Sequence, residues 1–266
     1  MKIARFRSNG NTEFGIVAHQ EILVLVGNPI HEGVLLTGKR ISLADATLLA
    51  PIEVPSKIIC VGMNYASHRD EMKFDGPSHP LIFLKPSSAI VGPGEAILIP
   101  KVEGRIVHEG ELAVVIGKVT KDVEIRDVAG HIFGYTIAND VSARDQMFLD
   151  GQWARAKGYD TFCPVGPVIE TSLSPANVHI ETFVDGEPRR RGNTSEMLHD
   201  VPTLISYISE IFTLWPGDLV LTGTPAGAGA FEAGQTVDIR IEGIGMLSNP
   251  ARSRGEYVAT TRTLLH

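Results

Sequence analysis

His108-Glu109-Gly110-Glu111-Leu112-Ala113-Val114-Val115-Ile116-Gly117 is the stretch on which the reading of this chain turns. It joins two glutamates, two positions apart, to an apolar run short enough to be a buried strand and ended by glycine. Strand side chains alternate, so both carboxylates point to one face, about 7 Å apart along the backbone. Asp122/Glu124 and Asp185/Glu187 have the same spacing, so the pair alone leaves two readings open: metal ligands or solvated strand ends. Gly134-Tyr135-Thr136-Ile137-Ala138-Asn139-Asp140 ends a second apolar segment on a third carboxylate. Three carboxylates buried together require a cation or protonation. A cation is the cheaper solution, and an all-oxygen set without Cys or His favours Mg²⁺ or Mn²⁺ in an octahedral site, with positions left for water or substrate.

Short strands flank these segments. Ile3 to Phe6, Phe14 to Ala18 and Ile22 to Val26 form an antiparallel meander that looks like an accessory layer, a small amino-terminal β domain over residues 1–54. Pro51 and Pro55 mark the linker to a second domain, 55–266. Lys57 to Met63, Leu81 to Leu84, Ala96 to Ile99 and Leu219 to Thr222 read as further strands, and Asp185-Gly186 as a hairpin turn. Residues 64–75 form a short helix or a mobile loop. One helix is well signalled, from about Val201 to Thr213: Leu204, Ile205, Ile208, Ile211 and Phe212 recur at helical spacing, Asp200 caps it and Pro202 occupies the first turn.

The 266 residues carry 24 Lys and Arg against 31 Asp and Glu, a net charge of −7, which argues against a nucleic-acid or anionic-membrane partner. Gly (27) and Pro (16) are abundant enough to favour many turns between short strands over a helical bundle. Only Cys60 and Cys163 are present, too few for a disulfide framework or a cysteine zinc site. No secretory h-region opens the sequence and no run approaches the ~18 apolar residues of a membrane span, so a reducing cytoplasm is expected. The glycines lack a dinucleotide fingerprint, since Gly227-x-Gly229 follows no βα turn.

Glu109-Gly-Glu-Leu-Ala-Val-Val-Ile-Gly-Lys118, Gly134 to Asp145, Gly151-Gln-Trp-Ala-Arg-Ala-Lys157 and Pro216 to Gly227, in this order, resemble the fumarylacetoacetate hydrolase family over about residues 55 to 250. The resemblance implies an α+β, mainly β fold: a mixed β-sandwich roll with a small amino-terminal antiparallel β domain, assembled as a homodimer. It implies Glu109, Glu111 and Asp140 as metal ligands, and a small 2-oxo acid whose carboxylate and keto oxygens chelate the ion, which then acts as an electron sink for enolate charge.

The same resemblance places Lys157 at the active site and pairs His68 with Glu71, on one helix face, to activate water. Lys85, Arg144 and Thr224 fall in motifs near the substrate, Arg144 as a carboxylate clamp. The 223–229 loop is either an anion-binding run of backbone amides or a plain turn. Residues 64–76 are a candidate lid. One departure is Met147 where members of the family commonly carry Gln, since a thioether cannot donate a hydrogen bond. The expected activity is metal-dependent cleavage of a C–C bond in an acylpyruvate-like 2,4-dioxo acid. Oxaloacetate decarboxylation and 2-hydroxyhepta-2,4-diene-1,7-dioate-type isomerisation are the alternatives, and a catalytically silent 2-oxo-acid binding protein is the rival from another class.

Overall fold

Gly110–Ile116 is buried along its whole length and serves two cores: Leu112, Val114 and Ile116 face one, Ala113 and Val115 the other. A strand covered on both faces gains nothing from alternating polar residues, hence its unbroken apolar sequence. In the computed structural model, which describes residues 1–73 and 76–255, this strand lies inside a long mixed sheet. It pairs antiparallel with Ile132–Asn139 on one side and Leu219–Leu221 on the other. Leu219–Leu221 runs parallel to Ile58–Gly62, whose other neighbour is Leu81–Lys85.

Past Ile132–Asn139 the same sheet continues through Cys163–Glu170 into Lys2–Ser8, Asn11–Ala18, Glu21–Leu25 and Leu36–Ser42. The amino-terminal meander is hydrogen-bonded into this sheet. Lys2 and Ile3 pair with Glu170 and Ile169, so its hydrogen bonds run on into the main sheet, although Phe6, Ile22 and Val24 form a small core of their own.

A second sheet is ordered Glu187–Asn193, His179–Val184, Thr236–Ile241, Gly245–Ser253 and Ile97–Ile99. Its Ile180, Ile239 and Leu247 share a core with Leu112 and Val114, which makes the domain a mainly β sandwich with helices at its margins. The hairpin at Asp185-Gly186 has positive φ at both positions (52° and 79°), the geometry that aspartate and glycine tolerate.

The helix Val201–Ile211 is capped by Asp200, whose side chain accepts the Thr203 N–H at 3.0 Å. Leu204, Ile205 and Ile208 form its buried face. Ile211, expected to join them, is the last residue of the helix and is exposed. Residues 66–72 form a helix, and residues 74 and 75 of the candidate lid lie outside the described residues.

Candidate metal centre and substrate pocket

The register of one ladder brings the three carboxylates together. Glu111 pairs with Ala138 and Gly110 with Asn139. One step further out, the Asp140 N–H donates to the Glu109 carbonyl (2.9 Å) and the Glu109 N–H to the Asn139 side-chain oxygen (2.9 Å). Residues opposed across a ladder share a face, as do residues two apart along a strand, so Glu109, Glu111 and Asp140 converge. One oxygen from each lies within 4.8 Å of the others, and all three side chains are buried.

Their compensation is uneven. Asp140 accepts from Lys85 Nζ (2.7 Å) and Lys157 Nζ (2.5 Å), while Glu109 accepts from Lys157 Nζ (2.6 Å) and Arg144 Nη2 (2.9 Å). Among the described residues Glu111 makes no ion pair and accepts only the Gly223 N–H, at 2.7 Å. Burial, reinforced by Asp140 and Glu109, pushes the Glu111 carboxyl well above its ordinary range. Burial pushes Glu109 the same way but is outweighed by Lys157 and Arg144, which hold it down to about 2. An all-oxygen triad in which one carboxylate makes no ion pair among the described residues fits a hard dication such as Mg²⁺ or Mn²⁺.

The triad forms one wall of a small, tight cavity, completed by His68, Arg144, Lys157 and Thr224 and by the apolar Val61, Met63, Phe83, Met147 and Trp153. Phe83 and Trp153 meet edge to face at 5.1 Å, and Lys157 Nζ sits 5.0 Å from the Phe83 ring centre. A larger apolar cleft also borders Phe83 and Trp153, but among the described residues no ionisable side chain lines it. Lys85 stands behind Asp140, also donating to the Val141 carbonyl (3.1 Å), and takes no part in the cavity wall. Met147 does line it, while Gln146 turns away to accept the Tyr159 hydroxyl at 3.0 Å.

His68 enters from the 66–72 helix. Asn64, just before that helix, carries no motif signal of its own but anchors it. Its amide donates to the His199 and Thr222 carbonyls (3.0 and 2.8 Å) and its oxygen accepts the His199 N–H (2.9 Å), fixing the helix to the strand end that carries Gly223 and Thr224. His68 Nδ1 lies 3.3 Å from Glu71 Oε2, which also accepts the Gly227 N–H at 3.0 Å. Burial, with Arg190 and Arg144 nearby, lowers the His68 pKa below its usual 6.5 despite Glu109 and Glu71. The 223–229 loop thus combines both expectations: it turns after a strand, and its amides meet anions, here the protein's own Glu111 and Glu71.

The fumarylacetoacetate hydrolase C-terminal family model matches residues 57–252, and the Rv2993c-like N-terminal model residues 1–51. A mitochondrial oxaloacetate tautomerase of Bos taurus is 44% identical over 218 residues, 77% of this chain and 69% of that protein. The crystal structure of 5-carboxymethyl-2-hydroxymuconate delta-isomerase from Mycobacterium smegmatis is 46% identical and superposes with a TM-score of 0.89 over 95% of this chain and 100% of that one. Maleylpyruvate hydrolase from Sphingobium sp. SYK-6, solved in complex with manganese(II) and pyruvate, is 31% identical with a TM-score of 0.80, covering 95% and 99% of the two chains.

Proposed function

This chain belongs to the fumarylacetoacetate hydrolase family, and from that premise we propose that it is a Mg²⁺- or Mn²⁺-dependent tautomerase or isomerase of a small 2-oxo acid. The observation that carries the reading is a buried histidine, lowered in pKa and tied through Nδ1 to Glu71, on the wall of the cavity that holds the three carboxylates. The relatives named tautomerase and isomerase, at 44% and 46% identity, stand nearer than the hydrolase at 31%.

Glu109, Glu111 and Asp140 would hold the ion, which when bound supplies Lewis-acid polarisation of the 2-oxo group. Glu71 accepts the Nδ1 proton of His68 and so leaves Nε2 as the base that removes a proton from C3 of the keto acid and delivers it to the C2 oxygen to give the enol, the reverse reaction running the same two transfers backwards. Glu71 also favours the imidazolium formed in between. The Lys157 ammonium supplies positive charge close to where the keto oxygen gains electron density. Phe83, Trp153 and Met147 restrict water around the reacting carbon.

Stopped-flow measurement of the enol absorbance of oxaloacetate tests the reading. Mg²⁺-dependent acceleration that a chelator removes is expected, and an unchanged rate would refute it. Because base catalysis needs neutral His68, kcat/KM should fall with acid only as pH drops through a pKa below 6.5, the direction that burial imposes. An acid limb centred above pH 7 would contradict this.

A second reading, hydrolysis of an acylpyruvate, draws on the same dyad, since His68 and Glu71 can equally orient a water. Cleavage of acetylpyruvate faster than oxaloacetate tautomerisation would favour it, whereas loss of CO₂ from oxaloacetate would favour decarboxylation. The proposed assembly is a homodimer of 28.7 kDa chains, which sedimentation equilibrium would test by giving twice the chain mass or not.

A further inference from the structure

We propose that Arg190 determines specificity in this pocket by binding the second carboxylate of a 2-oxo dicarboxylate, an inference that rests on the enolising function proposed above. Arg190 is the middle of three consecutive arginines in the strand Glu187–Asn193. Alternation sends Arg189 and Arg191 to solvent and Arg190 inward, where it is 5% exposed.

Its Nη1 donates to Thr224 Oγ1, and Thr224 lines the cavity while donating to the Gly110 carbonyl at 3.0 Å. The guanidinium is thus one hydrogen bond behind the cavity wall. Its remaining side, Nε and Nη2, finds no acceptor among the described residues. That edge is the fork with which arginine takes a carboxylate through two parallel bonds.

The neighbourhood is unusual in the same way. The other buried side-chain atoms without a hydrogen-bond partner among the described residues are both ring nitrogens of His108, Tyr65 Oη and Thr182 Oγ1. Thr182 is directly opposite Arg190 in the ladder, and both His108 and Tyr65 feel its charge. Orphaned buried polar atoms are scarce in folded proteins, and their gathering around one cation marks a place built for a polar ligand.

The covering loop passes close over this cluster: a Cβ at Gly229 would lie 2.8 Å from His108 Nε2, nearer than a side chain tolerates. The nearby carboxylates have their own partners: Glu109 is taken by Lys157 and Arg144, Glu71 by His68 and Gly227, and Glu111 by Gly223. Lys85, Lys157 and Arg144 balance the triad in charge, so a bound dication and Arg190 together leave the pocket positive enough for a dianion.

Calorimetric binding to the Mg²⁺-loaded protein tests this without turnover. The ligands are 3,3-difluoro-oxaloacetate, which cannot enolise, and its 4-amide, in which the second carboxylate is neutral. The wild type should bind the diacid about thirtyfold more tightly than the amide, the scale of a lost charge-assisted pair. In Arg190→Gln that ratio should fall to near one with the amide's affinity unchanged, and Arg190→Lys should restore part of it. Amide binding by the variants reports that their pocket is folded. If Arg190→Gln fails to fold, Arg190→Lys decides, because lysine keeps the charge but cannot make two parallel bonds and should give a ratio several-fold below that of the wild type. A wild-type ratio near one, or an undiminished ratio in Arg190→Gln, overturns the role of Arg190 while leaving the enolising function in place. Failure of the wild type to bind either ligand overturns both.

Discussion

Replacing His68 by asparagine should lower kcat for oxaloacetate tautomerisation by about 10³-fold, within the range general-base catalysis supplies. Asparagine can still hydrogen-bond to Glu71 but cannot take a proton from C3, so KM and metal affinity should change little. A thousandfold loss corresponds to about 4 kcal/mol of barrier, more than the repositioning of a side chain would supply. Glu71→Gln should cost less, about tenfold, because it leaves the imidazole in place and removes only the charge that favours its protonated form. A fall of less than threefold in His68→Asn would assign the proton transfer elsewhere.

Glu111→Gln should have opposite effects with and without metal. Glu111 is the triad member without a cationic partner, and its pKa is raised in the folded protein, first by burial and then by Asp140 and Glu109. A raised folded-state pKa means that the native chain holds a proton the unfolded chain releases. The associated stability is therefore fully present below the unfolded value of about 4.5 and is lost as pH rises through the folded value.

At neutral pH, without metal, the wild type consequently holds a strained acid. Glutamine keeps the acceptor for the Gly223 N–H and removes the charge, so the metal-free variant should melt higher by about 3 °C or more at pH 8, the gap narrowing toward pH 5. Millimolar Mg²⁺ should then raise Tm in the wild type and leave the variant unmoved. Equal Mg²⁺ responses in the two proteins would remove Glu111 from the ligand set.

The triad was legible because each part leaves a mark in sequence: glutamates two apart at the mouth of an apolar run, and an aspartate ending another. The register that opposes Asp140 to Glu109 is set by the pairing of Gly110 with Asn139, which no local pattern encodes. Lys157 was legible only through its family motif. A lysine in a four-residue helix reads as solvated, and nothing in Trp153-Ala-Arg-Ala-Lys157 reveals two carboxylates waiting for its ammonium.

Lys85 shows the opposite limit, since its motif marks it as important while only the fold shows that it neutralises Asp140 from behind. Arg190 was hidden in a run of three arginines, which normally signals an exposed face. Its orientation depends on strand phase, and a register shift between Thr182 and Phe183 disturbs that phase. The strands Thr236–Ile241 and Gly245–Ser253 leave little mark in the sequence because their alternating less-buried residues dilute the apolar signal.

The most direct test of the central claim is an anomalous difference map at the manganese edge from crystals grown with Mn²⁺ and oxalate, a non-reacting mimic of the 2-oxo-carboxylate head. A single strong peak coordinated by oxygens of Glu109, Glu111 and Asp140, with oxalate completing the shell, is the predicted result. A map with no peak among these three side chains, at manganese concentrations that support turnover, would contradict it.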